Sequence, residues 1–429
     1  MVIRRSTTRA VASVVGVAAL AAGTVANAGV AQAGVAQAGP PSVTITPVLG
    51  GLAAPRGIAF DGQGSMYVAE SGVAGTGAAG LTHTGTVKKY RWGSTTPSWT
   101  TQFDSVYASE DPTQPPDVLG PEGVSAMGDR CLKHDHGYRH DHGHDHGRGD
   151  CQVQMIMSES TPGVLADSGG TVNAPQAGHL YRLDGATGTA TSTSDVGSQM
   201  YQWTGDHSSL FPDDFPDSNP YDVLVTKGAK GPKHGYGRHG HGHHGHGIRT
   251  FVADAGANTI SEITRHGTTR VVAYLPNEDF GAFRDSTPTC IAQGPDGYLY
   301  VGTLDFVSNL FVPPGTGGFS SVWRVDPNAD YPTVPTVWAS GLTTITGCTF
   351  DRKGNFWAAE MFAGGLDATP PGDVVRIPFW HPTTQDHFGA GQLPVPGDIA
   401  QGPDGAMYVT VGSSAPGVNG GVMRVAVGH

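Results

Sequence analysis

The chain has 429 residues, of which only 14 % are charged, well under the usual ~25 %, while its 64 glycines are about twice the usual ~7 % share. A formal charge of −12 with no basic stripe to offset it excludes nucleic acid as a partner. Past the first thirty or so residues no stretch is apolar and long enough to cross a bilayer, so no membrane span is expected.

The N-terminus reads as an export signal. Arg4, Arg5 and Arg9 precede the apolar run "AVASVVGVAALAAGTVA", followed by small-residue sites at "ANA" and "AQA". A signal over 1–33 is expected, with cleavage between 28 and 38, and a mature chain from about 40 that is secreted and soluble. The strand "SVTITPVLGG", Ser42 to Gly51, comes next and has no hairpin partner of its own.

From there the chain repeats with a period near fifty. "GIAFDGQGSMYVAES" from Gly57 is an apolar strand, a Gly/Asp turn and a second strand with an aromatic or Met near its start, which is a hairpin signature. "CIAQGPDGYLYVGT" from Cys290, "GCTFDRKGNFWAAEM" from Gly347 and "DIAQGPDGAMYVTVG" from Asp398 repeat it. Two further copies are interrupted: "PEGVSAM" resumes as "CQVQMIMSES", and "PYDVLVTK" resumes as "IRTFVADAGANT". A third strand follows each hairpin ("GTVKKYRW", "GHLYRLD", "NTISEITRHG", "SSVWRVD", "GDVVRIP", "GGVMRVAV"), and most have a fourth, such as "TTRVVAYLP". The last unit lacks a fourth strand, and Ser42 to Gly51 supplies it, which closes a ring and removes exposed sheet edges. An all-β, six-bladed propeller of four antiparallel strands per blade is predicted over 40–429, with little helix and as a monomer.

The hairpins "GIAFDGQGSMYVAE" and "TFVADAGANTISEI" resemble NHL-type repeats. Together with "LAAPRGIAF", "GPEGV" and "GGVMRV", the mature chain resembles the ScyD/ScyE family of exported, TolB-like propellers. The resemblance implies the fold far more than an activity, and it does not extend to the interruptions.

Those interruptions are histidine tracts. "KHDHGYRHDHGHDHGRGDC" holds His134, His136, His140, His142, His144 and His146, and "KHGYGRHGHGHHGHG" holds His234, His239, His241, His243, His244 and His246. Both fall in the turn between strands one and two, in consecutive units, so inserts at 131–151 and 230–247 project as neighbours from one face. Imidazole at every second residue suits Zn²⁺, Ni²⁺ or Cu²⁺, with Asp135, Asp141 and Asp145 adding oxygen donors or orienting rings. Spacing this repetitive offers many equivalent registers, so weak, multi-ion, pH-dependent binding by disordered loops is expected. The plainer alternative is a low-complexity expansion of a tolerant surface turn.

On the opposite face, strand two ends on Glu70, Glu159, Asp254 and Glu360, and strand one begins at Arg56, Glu122 and Tyr221. Carboxylates gathered at one channel mouth repel unless a cation stands between them, so a Ca²⁺ ion is reasonable there. "GPEG" around Glu122 is similar to a mouth motif of gluconolactonase/paraoxonase propellers, which implies a metal in that place. The alternative is that each acid caps its own turn. No G-x-S-x-G, H-E-x-x-H, P-loop or C-x-x-C occurs, and His83, His179, His207, His266, His381 and His387 read as isolated. Four cysteines in an exported chain favour disulfides. Of three connectivities, Cys131 with Cys151 across the first tract and Cys290 with Cys348 in matching repeats are preferred, the first loop contributing ~3 kcal/mol. The leading expectation is a secreted binding propeller whose tracts chelate metal. The rival is a cation-dependent small-molecule enzyme, lactonase-like or an oxidase or lyase, at the acidic mouth. A cell-wall or matrix interaction module is the third possibility.

Overall fold

The computed structural model describes residues 42–75, 80–108, 117–127, 152–210, 216–227, 248–277, 285–310, 318–329, 332–363, 371–414 and 417–428. The export segment, Cys131, Cys151 and both histidine tracts lie outside the described residues.

The hairpin turns begin from sequence. In "DGQGS" the Asp61 carboxylate accepts from Gln63 N and Ser65 N, while Gly64 takes φ +83, a left-handed value open to glycine. Asp351 does the same for Lys353 N and Asn355 N, with Gly354 at φ +83. The aromatic at the start of strand two then bonds back to the turn acid: Tyr67 to Asp61, Tyr300 to Asp296, Trp357 to Asp351 and Tyr408 to Asp404. Each such ring is largely buried, worth about 2 kcal/mol of transfer free energy apiece, and its polar tip is satisfied.

Six sheets result. β1 (Val43–Leu52) comes first in the chain. Blade 1 holds β2 (Pro55–Phe60), β3 (Met66–Glu70), β4 (Gly80–Tyr90), β5 (Pro97–Ala108) and a short extra edge strand β6 (Asp117–Leu119) that the repeat pattern did not show. Blade 2 holds β7 (Pro121–Ala126), β8 (Gln152–Met157), β9 (His179–Asp184) and β10 (Ala190–Asp195). Blade 3 holds β11 (Pro220–Lys227), β12 (Ile248–Asp254), β13 (Thr259–Ile263) and β14 (Thr269–Tyr274). Blade 4 holds β15 (Pro288–Gln293), β16 (Leu299–Thr303), β17 (Ser320–Val325) and β18 (Thr336–Leu342). Blade 5 holds β19 (Ile345–Phe350), β20 (Phe356–Glu360), β21 (Gly372–Ile377) and β22 (Asp386–Leu393). Blade 6 holds β23 (Ile399–Gln401), β24 (Met407–Val411) and β25 (Gly420–Val427), completed by β1.

β1 pairs antiparallel with β25 from Val43 opposite Val427 to Leu52 opposite Gly420, the closure expected from Ser42 to Gly51. The core lies between blades. Six apolar clusters each join two neighbours: blades 1 and 2 around Tyr67 and Met155, 2 and 3 around Ile156 and Val252, and 3 and 4 around Phe251 and Trp323. Blades 4 and 5 meet around Tyr300 and Phe356, 5 and 6 around Trp357 and Met407, and 6 and 1 around Tyr408 and Val68. Helix among the described residues is confined to α1 (Thr161–Asp167), α2 (Val196–Asp206), α3 (Phe306–Leu310) and a 3-10 turn at Ser208–Leu210, none long and apolar enough to cross a membrane. The N-cap Asp195 accepts from Ser198 N at 2.9 Å and starts α2.

Candidate functional site

Strand one carries a register slip at its start in blades 1 to 5, between Pro55 and Gly57, Pro121 and Val124, Pro220 and Asp222, Pro288 and Cys290, and Ile345 and Gly347. Arg56, Glu122, Tyr221, Thr289 and Thr346 sit in these slips. A bulge turns its side chain off the sheet's alternation, and here it turns several toward the next blade. Arg56 Nη1 stands 3.2 Å from Glu122 Oε1, both side chains buried. Thr289 Oγ1 donates to Ile345 O at 2.5 Å and Thr346 Oγ1 to Pro396 O at 3.0 Å. Ser71 Oγ bonds Pro121 O at 3.1 Å and Glu122 Oε2 at 3.4 Å.

Three of the four acids predicted at the end of strand two bond to the loop that leads into their own blade. Glu70 Oε2 accepts from Ala53 N at 2.8 Å, and Lys88 Nζ stands 2.6 Å from its other oxygen as an ion pair. Asp254 accepts from Ser218 Oγ, Asn219 N and Ala257 N, all within 2.9 Å. Glu360 Oε1 accepts from Thr343 N at 2.5 Å. In each case the backbone donor lies just ahead of strand one, so the acid fastens the loop arriving from the previous blade. Glu159 differs. Pro55 lies opposite Glu70, but Pro121 lies opposite Met157, so Glu159 falls two residues past the matching position, at φ +59. Burial first, then Asp217, pushes its carboxyl well above the usual range. The structure therefore does not gather Glu70, Glu159, Asp254 and Glu360 into one shell.

A different ring lies one residue further along strand one. Its six positions are Gly57, Gly123, Asp222, Cys290, Gly347 and Asp398, and each faces the next blade. Asp222 Oδ2 accepts from Ile291 N, and Asp398 Oδ2 from Ile58 N, both at 2.9 Å. Cys290 is disulfide-bonded to Cys348. At the glycines the backbones themselves close in: a Cβ on Gly123 would lie 2.6 Å from Asp222 Cα, and one on Gly57 would lie 2.9 Å from Val124 N. Cys290 thus matches Gly347, and Cys348 sits one residue on, where Ile58 and Ile291 sit. The pairing was expected from matching places, but the two cysteines are offset by one. Asp222 and Asp398 come from blades three apart, on opposite sides of the ring. Burial raises Asp222 to about 7, and burial followed by the Asp222 charge holds Asp398 well above the carboxylate range.

One group escaped the sequence reading. Glu360, Asp373 and His387 bring donor atoms within 4.8 Å of one another, the one set of three such residues among the described residues. Glu360 lies opposite Asp373 in register, and His387 opposite Val375, so all three share the face of blade 5 turned toward blade 4. His387 Nδ1 is 2.9 Å from Asp373 Oδ2 and 3.6 Å from Glu360 Oε2. Both carboxyls are buried, the imidazole is 45 % exposed, and Asp373 Oδ1 is buried with no hydrogen-bond partner. The hydrogen bond to Asp373 raises His387, and burial with the Asp373 charge raises Glu360. A register drawn through the third strand would have exposed the group. Opposite the strand-two ends of blades 1, 3, 4 and 6 stand Thr86, Thr259, Ser321 and Gly421, whereas blade 5 sets acid against acid.

Four other described histidines have ordinary partners, His266 Nε2 accepting from Arg265 Nε at 3.0 Å. His83 Nδ1 meets Asp104 Oδ1 at 2.5 Å, His179 Nδ1 meets Ser192 Oγ at 2.8 Å, and His207 stacks on Trp203. The strands that carry the histidine tracts are β7–β8 and β11–β12. Near their insert ends Val225 N donates to Ser125 Oγ at 3.0 Å, so the two insert bases adjoin.

No family description matches the chain, and no curated protein matches it in sequence. Among solved structures it is similar to the PQQ-bound aldose sugar dehydrogenase of Streptomyces coelicolor, at 12 % identity and TM-score 0.44, covering 90 % of this chain and 99 % of that one. A luciferin-regenerating enzyme gives 12 % identity and TM-score 0.43, covering 90 % and 98 %. The virginiamycin B lyase of Staphylococcus aureus gives 13 % and 0.39, covering 86 % and 82 %. Likeness at these values carries no inference about this chain's chemistry, which is left to its own residues.

Proposed function

We propose that this chain is an exported propeller of the ScyD/ScyE kind that binds transition metals through its two histidine-rich inserts, without catalysis of its own. The observation that supports it is the Val225 N to Ser125 Oγ bond of 3.0 Å, which ties together the strands feeding both inserts. Twelve imidazoles hung from adjoining bases act as one local reservoir of ligands, so an ion released by one insert is recaptured by the other. Zn²⁺, Ni²⁺ and Cu²⁺ are the ions such ligands take, and acidification releases them. Titration calorimetry with Zn²⁺ compares the full chain with one lacking Lys133 to Gly147 and Lys233 to Gly247. Loss of most bound equivalents is expected, and an unchanged stoichiometry overturns the proposal.

A second reading places a small-molecule activity, with Ca²⁺, at the mouth on the other face. What favours it is the buried Arg56–Glu122 pair at 3.2 Å. Desolvating two charges contributes little net stability, so a buried pair at a channel mouth is better suited to meeting a polar ligand or a wall component. Ca²⁺ that leaves the chain's melting temperature unchanged removes the cation from this reading.

A further inference from the structure

We propose that Glu360, Asp373 and His387 form a single Zn²⁺ site on blade 5, separate from the histidine tracts and independent of them. The three residues come from three successive strands of one sheet, β20, β21 and β22, and meet on one face. One imidazole nitrogen with two carboxylate oxygens is a donor set that suits Zn²⁺ and not the all-oxygen shell of Ca²⁺. Ligands about 2.0–2.2 Å from a tetrahedral Zn²⁺ stand about 3.3–3.6 Å from each other. The measured separations from His387 Nδ1, 2.9 Å to Asp373 Oδ2 and 3.6 Å to Glu360 Oε2, bracket that spacing.

Charge and hydrogen bonding point the same way. The side chains of Glu360 and Asp373 are only 1 % and 4 % exposed, and they face each other directly across two strands. Two carboxyls facing each other in a dry place need a shared proton or a cation between them, and a dication with neutral imidazole balances both carboxylate charges. Asp373 Oδ1 has no hydrogen-bond partner although it is buried, which a well-packed protein rarely tolerates. An ion held by that carboxylate satisfies it. Thr343 N donates to Glu360 Oε1 at 2.5 Å, which leaves Oε2 for the ion, and Asp386 is held by Arg376 at 2.7 Å. The half-exposed imidazole leaves the fourth position facing solvent, where a water or a small anionic ligand completes the shell.

The test uses the full chain with both inserts present, purified with a chelator and folded as judged by circular dichroism. Zn²⁺ titration calorimetry compares wild type with Asp373→Asn and His387→Gln, the latter at a half-exposed position where folding is not at stake. Each variant is expected to lose one equivalent of the tightest binding and to keep the multi-ion phase of the tracts. Crystals soaked in ZnCl₂ are expected to show an anomalous peak bonded to His387 Nδ1 and to a carboxylate oxygen of each acid. Identical isotherms for all three chains, or zinc peaks only elsewhere, overturn the proposal. Failure of the tract reading looks different, since it removes the multi-ion phase from every chain and leaves the one-equivalent difference intact.

Discussion

Cys290 and Cys348 offer a test of what holds one blade to the next. They are 58 residues apart and join blade 4 to blade 5. By the chain-entropy relation a closed loop of that length lowers the entropy of the unfolded chain enough to contribute about 4 kcal/mol. Both residues are buried, so Cys290→Ala with Cys348→Ala removes the link without introducing a buried hydroxyl. For a propeller of roughly 390 residues the entropy of unfolding is about 0.8 kcal/mol/K, so the double variant melts about 5 °C lower. Scanning calorimetry of the wild type, the variant and the wild type reduced with a phosphine measures it, with free thiols counted by labelling. Reduction should lower the melting temperature of the wild type to that of the variant. A shift below 1 °C with both thiols free refutes the reasoning, because it means the unfolded chain is not constrained by this loop. The apolar cluster around Tyr300 and Phe356 and hydrogen bonds such as Thr289 Oγ1 to Ile345 O would then fasten these two blades.

Two other predictions concern buried charge. Asp222 keeps its proton to about pH 7 in the folded chain, whereas an exposed Asp loses it near ~3.9. The folded state binds more protons across that window, so this contribution is full below about pH 3.9 and is lost as pH rises to 7, by about 1.4 kcal/mol per unit for the retained proton. Melting temperatures at steps across that range should decline in wild type and flatten in Asp222→Asn, whose side-chain oxygen can still accept from Ile291 N but which has no carboxyl to titrate; a wild-type profile that rises with pH defeats this. Arg56→Met takes away the cation 3.2 Å from Glu122 Oε1 and should cost about 3–5 kcal/mol in urea unfolding, part of which Glu122→Gln restores. No loss in the single variant would show that the pair carries no such penalty.

Much of the architecture was legible because it repeats. The Asp/Gly turns, the aromatic that bonds back to them and the orphan strand at Ser42 to Gly51 each follow from local chemistry, and together they fix six blades and their closure. What could not be read depends on register between strands far apart in sequence. Glu159 looks like the end of strand two, yet β8 stops at Met157, and Ser158 already bonds Gly120 across the loop. His387 looked isolated because it stands 27 residues from Glu360, and only the pairing of β21 with both neighbours brings them together. The tracts were the loudest signal in the chain, and they lie beyond the described residues.

The ring one residue past the mouth shows why single residues misled where the repeat did not. Each blade must fasten the third residue of its first strand to the fourth residue of the next, and the chain does so by three chemistries. Glycine lets the backbones approach, aspartate reaches the next N–H, and cysteine bonds covalently. These residues share nothing in a sequence comparison, so Asp222 and Asp398 attracted no notice beside the acids at the mouth. The geometric demand is nevertheless the same in all six blades. The two aspartates meet it with a half-buried carboxylate, at the cost of a shifted proton affinity, while the glycines meet it with none. The acids that looked functional because they recur, Glu70, Asp254 and Glu360, recur for a structural reason: each fastens an incoming loop. Chemistry beyond that role is to be sought where a blade departs from the pattern, as blade 5 does by setting Asp373 against Glu360.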